Sequence, residues 1–164
     1  MDRILTLDEA ILQFGREKRN GRRVAFTNGC FDLLHQGHLA CLEAGRKLAD
    51  VLIVGINSDA SVYRLKGPGR PAIPEGERAE LLASLEYVDA VIIFDDETPL
   101  TVIEKLRPDV LFKGGDWPID QIVGRKEVEE SGGVVTSVPY IPGHSTTNLL
   151  RKIREGAAAS RTDS

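Results

Sequence analysis

The 164-residue chain holds only two cysteines, Cys30 and Cys41, and three histidines. Two thiols with ten residues between them and no second pair give neither a disulfide framework nor a zinc site; reduced, buried thiols are expected. His35 and His38 lack a third ligand at suitable spacing, since His144 is the only other histidine and no His-Glu-x-x-His pattern is present, so no protein-held metal is expected. A Gly-x-Ser-x-Gly elbow is missing too, which removes the usual setting of a serine nucleophile. Long apolar runs are absent: MDRILTLDEAILQFGREKRNGRR has no apolar core leading to a small-residue cleavage site, and no stretch reaches the length of a membrane span. A cytoplasmic protein without a membrane partner is expected. Nor is there a strong charge of one sign. The formal net charge of -4 disfavours non-specific nucleic-acid binding, which needs many Lys and Arg contacts to phosphates.

What is present is an ordinary globular composition, 41% hydrophobic and 28% charged, in a length that suits one domain over residues 1–164. Thr6 and Glu9 have the capping-box spacing, and Leu7, Ala10, Ile11 and Phe14 follow at helical intervals, so residues 1–22 read as a helical extension. Five short apolar runs then read as buried strands: VAFTN, VLIVGIN, AVIIF, DVLFKGG and GVVTSVP. Segments of helical period separate them, near 38–49, 58–65, 75–86, 99–106 and 119–131, and a closing helix is expected over about 146–154. Apolar strands alternating with helices imply a doubly wound α/β domain with a five-stranded parallel sheet, because each parallel return needs a crossover. Residues 156–164, small and polar, read as a flexible tail. No repeat or linker is visible.

Ligands of such sheets bind beyond the carboxyl ends of the strands, and motifs rich in chemistry follow four of the five. After the first comes NGCFDLLHQGH. Gly37 lets backbone approach a ligand, and a helix beginning near His38 would aim free N–H groups and imidazole donors at a phosphate; two core or helix-capping histidines are the plain alternative. After the second strand, LKGPGRP carries Lys66 and Arg70, either a solvated turn or a clamp over a polyphosphate, with Arg78 on the next helix as a third cation. KGGDW, after the fourth, is either a tight turn covered by Trp117 or a nucleotide seat in which Asp116 accepts a hydroxyl hydrogen bond. GHSTTN, after the fifth, offers Ser145, Thr146 and Thr147 as helix caps and as a second phosphate seat.

Together, GCFDLLHQGH, KGGDW and GHSTT resemble the cytidylyltransferase-like nucleotidyltransferases, marked by His-x-Gly-His after the first strand and a Ser/Thr-rich start to the last helix. Within that family, FTNGCFDLLHQGHLACLEAGRKLAD, LKGPGRP, LRPDVLFKGGDW and PGHSTTNLL are similar to the heptose 1-phosphate adenylyltransferases, over about residues 24–154. The resemblance implies a Rossmann-like nucleotidyltransferase fold and transfer of AMP from ATP to D-glycero-β-D-manno-heptose 1-phosphate, giving ADP-heptose and pyrophosphate for lipopolysaccharide core precursor synthesis. It assigns His35, His38 and Lys66 to catalysis. Thr27, Asn28, Gly29, Cys30, Phe31, Gly37, Gly114, Asp116, Trp117, Ser145, Thr146 and Thr147 are assigned to the nucleotide. Mg2+ is implied as a companion of ATP, a separate sugar kinase is implied by the length, and relatives of this size suggest a homo-oligomer, dimeric or larger. Related glycerol phosphate cytidylyltransferases carry an arginine where this chain has Tyr140, which leaves Arg70 or Lys113 to supply that charge. Two other readings stand beside this one: a cytidylyltransferase acting on glycerol 3-phosphate or a similar alcohol phosphate, and a nucleotide-binding module without turnover.

Overall fold

A computed structural model describes residues 2–115, 117–139 and 146–162. Six strands, β1 (Ile4–Leu5), β2 (Val24–Gly29), β3 (Val51–Asn57), β4 (Ala90–Phe94), β5 (Val110–Gly114) and β6 (Val134–Val138), form one sheet in the order β1-β4-β3-β2-β5-β6. Every pairing is parallel. The doubly wound α/β class expected from the sequence is present, with one strand more than the five counted there. That strand is β1, where Ile4 and Leu5 pair with Val91 and Ile92. Two residues are too few to show any period, so the ladder is visible only in three dimensions.

Side chains alternate between the faces of the sheet. Phe26, Ile53, Ile92 and Leu111 point to one face, under Ala10 of α1 (Leu7–Phe14) and Val102 and Ile103 of α5 (Leu100–Leu106), with Val128 of α6 (Arg125–Glu130). Ala25, Leu52, Val54 and Phe112 point to the other, under Leu42 of α2 (Gln36–Arg46) and Leu82 of α4 (Glu75–Ala83). Crossovers after β2 and β3 therefore cover one face and those after β4 and β5 the other. The switch falls between β2 and β5, where a cleft opens at the carboxyl ends of the strands. On the second face Gly45 is required by contact: a Cβ there would lie 1.9 Å from the Phe112 ring.

Polar residues pin the amino ends of the strands. Asp50, Asp89 and Asp109, each next to the start of a strand, accept the N–H groups of Arg23, Leu52 and Val24 at 2.7–2.8 Å. Asp109 also holds the buried Arg19 at 2.9 Å, and burial lowers that guanidinium's pKa despite the carboxylate. The predicted capping box is formed: Glu9 N–H donates to Thr6 Oγ1 at 3.2 Å and Thr6 N–H to Glu9 Oε2 at 2.8 Å. Leu7 and Phe14 pack on the core of this same chain.

The last helix, α7 (Thr146–Thr162), runs on well past residue 154, where the sequence placed its end. Ala157, Ala158 and Ala159 are strong helix formers, and Arg151 pairs with Glu155 one turn on at 3.1 Å. Its residues Arg151–Ala159 are exposed, which explains why no apolar period marks the extension.

Candidate active site

The cleft, about 670 Å³, is lined by loops that follow β2, β3, β4 and β5 and by Thr147 of α7. Its centre is the turn between β2 and α2. Phe31, with φ of 47°, takes the left-handed conformation that bulky residues avoid, and its buried ring comes to rest 5.0 Å from the ring of His38. His35 is the N-cap of α2; its Nδ1 accepts the Gly37 N–H at 3.1 Å, and the Nδ1 of His38 accepts the His35 N–H at 3.3 Å. A nitrogen that accepts carries no hydrogen, so the hydrogen of each ring lies on Nε2, the atom able to donate. The two rings stack with centroids 3.8 Å apart. Burial, with repulsion from His35, pulls the His38 pKa down to about 4 against the Leu33 carbonyl, so this ring is neutral at pH 7. The capping alternative and the donor alternative are thus compatible: one nitrogen of each ring closes the helix end and the other carries the hydrogen.

The basic loop follows α3 (Asp59–Lys66), which ends on Gly67 at φ of 87°, a backbone conformation that glycine adopts without strain. Exposed Lys66 and half-buried Arg70 both line the cleft. Arg70 is not free to swing, because its Nε donates to Asp32 Oδ2 at 2.8 Å. Asp32, its side chain inaccessible, also accepts the N–H groups of Ala72 and Ile73 at 2.9–3.0 Å. Burial alone would raise the Asp32 pKa, but these three donors outweigh it and leave the pKa below the ordinary carboxylate value. The loop is therefore latched to the histidine turn by one carboxylate that lies inside the quoted motif, between Phe31 and Leu33, and was passed over in the sequence.

Arg78 requires a correction. It is buried and outside the cleft, and its guanidinium donates to the carbonyls of Cys30 at 2.6 Å, Asn57 at 2.9 Å and Ile73 at 2.9 Å, and to Asp59 at 2.8 Å. Its charge serves the carbonyls left unpaired where β2 and β3 end, not a substrate.

Lys113 does reach the cleft. Its Nζ donates to the Asn28 carbonyl at 2.8 Å and to Asn28 Oδ1, and lies 5.9 Å from the centre of the Trp117 ring. Burial pulls its pKa down to about 8, against the pull of Cys41 and Cys30. Among the described residues no carboxylate pairs with it, in contrast to Arg70.

Thr27, Asn28 and Gly29 line the floor, although the Thr27 hydroxyl donates to the Phe112 carbonyl at 2.8 Å and so supports the sheet. Cys30, Phe31, Gly37, Gly114, Trp117 and Thr147 also border the cleft, while Thr146 begins α7. Asp116, Tyr140 and Ser145 lie outside the described residues. Cys30 and Cys41 are free and half-buried, short of the full burial expected, and burial raises the Cys41 thiol's pKa. Besides Asp32, sequence reasoning missed Glu97, Thr98 and Gln121 on the cleft wall. The signal for the first two was available, since they follow the third apolar strand just as the chosen motifs follow the other four.

The chain is 52% identical over 155 residues to the bifunctional protein HldE of Geotalea uraniireducens, covering 94% of this chain and 32% of that protein. It is 55% identical over 137 residues to the bifunctional protein HldE of Geobacter sulfurreducens, covering 84% and 28% respectively. The chain thus spans about a third of the length of these curated relatives. The crystal structure of the lipopolysaccharide core biosynthesis protein from Thermoplasma volcanium superposes with a TM-score of 0.61 at 28% identity, covering 74% of this chain and 98% of that one. Residues 26–152, from the middle of β2 into α7 and so including the whole cleft, match the cytidylyltransferase-like family model, and the chain belongs to that family.

Proposed function

We propose that this chain transfers AMP from ATP to D-glycero-β-D-manno-heptose 1-phosphate, releasing pyrophosphate and forming ADP-heptose for lipopolysaccharide core precursors. The observation that carries the reading is the stacked His35–His38 pair, with its hydrogens on Nε2, at the start of a helix on the switch-point cleft. Support for the acceptor comes from the four-motif resemblance, from the kinship to the HldE proteins, and from the likeness to the lipopolysaccharide core biosynthesis protein of Thermoplasma volcanium.

In this reaction a phosphate oxygen of the acceptor forms a bond to the α-phosphorus of ATP while the bond from that phosphorus to the bridging oxygen of pyrophosphate breaks. The acceptor oxygen is already negative, so the site must position and neutralise rather than deprotonate. His35 and His38 donate hydrogen bonds to the triphosphate as charge gathers on the leaving pyrophosphate. Lys66 faces the incoming phosphate from the end of α3. Lys113 supplies the positive charge that related enzymes take from an arginine near the last helix, since Arg70 is already neutralised by Asp32. Thr147 lies where the β and γ phosphates would meet the start of α7.

Mg2+ would enter with ATP, held by phosphates and water rather than by this chain, and would lower the charge of the triphosphate. Among the described residues no three His, Cys, Asp or Glu side chains converge to cage it. The use of ATP as substrate places its site of action in the cytoplasm in this reading; the described residues contain no helix long and apolar enough to cross a membrane.

The test is an acceptor and nucleotide screen. The purified chain is incubated with Mg2+, ATP or CTP, and heptose 1-phosphate or glycerol 3-phosphate, and pyrophosphate is measured. Release with ATP and heptose 1-phosphate is expected. Turnover with CTP and glycerol 3-phosphate alone would overturn the assignment.

A further inference from the structure

Glu97, Thr98 and Gln121 line the cleft but take no part in the phosphate chemistry proposed above. Glu97 and Thr98 sit in the turn between β4 and α5, and Gln121 closes the 3-10 turn Ile119–Gln121 that follows β5. Val102 and Ile103 of α5 share an apolar cluster with Ile122, which anchors both turns to the same face of the sheet. All three side chains are exposed, and among the described residues none of them forms a hydrogen bond or ion pair. Thr98 is not spent on a helix cap, because the N-cap of α5 is Pro99 and no side chain caps the helix.

Their chemistry differs from that of the rest of the cleft. Lys66, at the end of α3, and Lys113, in β5, bring positive charge that Arg70, paired with Asp32, does not, as an anion requires. A free carboxylate repels phosphate, so the Glu97 end suits an uncharged part of a substrate. A carboxylate can accept from two neighbouring hydroxyls at once, and a hydroxyl and an amide can each donate and accept. Val123, beside them on the wall and partly exposed, offers apolar surface to C–H groups. Polar groups of both senses next to a small apolar surface suit a carbohydrate.

We infer that Glu97, Thr98 and Gln121 form the subsite that reads the hydroxyl groups of the acceptor's sugar. Choice among phosphate acceptors is then made beyond β4 and the start of α6, away from the histidine turn that handles the phosphates. The inference rests on the adenylyl-transfer reading and adds to it the residues that discriminate.

The full chain and its Glu97→Gln, Thr98→Val and Gln121→Leu variants are assayed with Mg2+, ATP and two acceptors. One is heptose 1-phosphate, and the other is ethyl phosphate, which presents the same reactive dianion without a sugar. Removing a hydrogen bond to the carboxylate should lower kcat/KM for heptose 1-phosphate by about 10–100-fold, through the acceptor KM. The KM for ATP and the rate with ethyl phosphate should stay within about twofold, a pattern that general damage to the fold could not produce. An unchanged acceptor KM in all three variants overturns the subsite, as does an effect confined to the KM for ATP or to the Mg2+ requirement. If the unaltered chain releases no pyrophosphate with either acceptor, adenylyl transfer itself fails and the subsite falls with it; turnover by the unaltered chain with indifferent variants removes the subsite alone.

Discussion

Replacing Lys113 by methionine and, separately, by arginine divides the charge of this side chain from its titration. Burial holds its pKa at about 8 in the unliganded cleft. It is therefore about nine-tenths protonated at pH 7 and about one-tenth protonated at pH 9. If ATP selects the protonated form, affinity falls about tenfold over those two pH units, and binding takes up close to one proton at the alkaline end. His38, with a pKa of about 4, stays neutral throughout and adds no slope. Arginine keeps the charge without titrating, so Lys113→Arg should bind with a flat profile. Lys113→Met should be flat and about 10–100-fold weaker than wild type at pH 7, the worth of a charge-assisted hydrogen bond to phosphate. Calorimetry with Mg2+ and a non-hydrolysable ATP analogue at pH 7, 8 and 9, in buffers of different ionisation enthalpy, reads both affinity and proton uptake. An equal slope in the wild type and Lys113→Arg would refute the reasoning. The same lowered pKa makes the unliganded fold more stable as pH rises from about 8 toward the unfolded lysine value, because over that window the unfolded chain holds a proton the folded one has released.

His35→Ala removes both a donor and the N-cap of α2, so kcat should drop by about 100–1,000-fold in a pyrophosphate-release assay while the KM for ATP changes far less; a variant as fast as wild type would remove His35 from the mechanism. Asp32→Asn leaves Arg70 without its buried counter-charge and should lower stability by about 3 kcal/mol in urea unfolding. Since the Asp32 pKa is lowered in the folded state, its contribution is complete above the unfolded carboxylate pKa and is lost as pH falls through the folded value, so the acid limb of the stability curve should be shallower in the variant. Gly45→Ala drives a methyl into the Phe112 ring and should cost about 1–3 kcal/mol, seen as a lower urea midpoint; an unchanged midpoint would mean that α2 can slide without penalty.

The buried strands were legible because parallel strands covered on both faces leave continuous apolar runs, and the capping box was legible because its two partners are three residues apart. Long-range pairings leave no such local mark. Asp32 sits among apolar residues in CFDLL, and its partners Arg70, Ala72 and Ile73 come some forty residues later. Arg78 looked like a clamp because it follows a basic loop, yet its helix turns it inward onto carbonyls that the ends of β2 and β3 cannot satisfy themselves. The histidine spacing pointed to donors, but only the backbone bonds to Nδ1 say which nitrogen of each ring donates. Glu97 and Thr98 were legible by the strand-end rule and were lost by applying it to four strands out of five.

The two-residue strand β1 has a consequence for how the molecule behaves among its own copies. β4 is the sequence AVIIF, the kind of apolar segment whose open edge invites a strand from another molecule. Ile4 and Leu5 occupy that edge, Asp2 takes the N–H of Ile4, and Arg3 reaches across to the carbonyls of Ala83 and Val88. The ladder thus ends in two residues flanked by charge, too short to template further addition. None of these residues lines the cleft; Leu5 fills the core and Ile4 packs against it, while the pair shields the edge of β4 from edge-to-edge association.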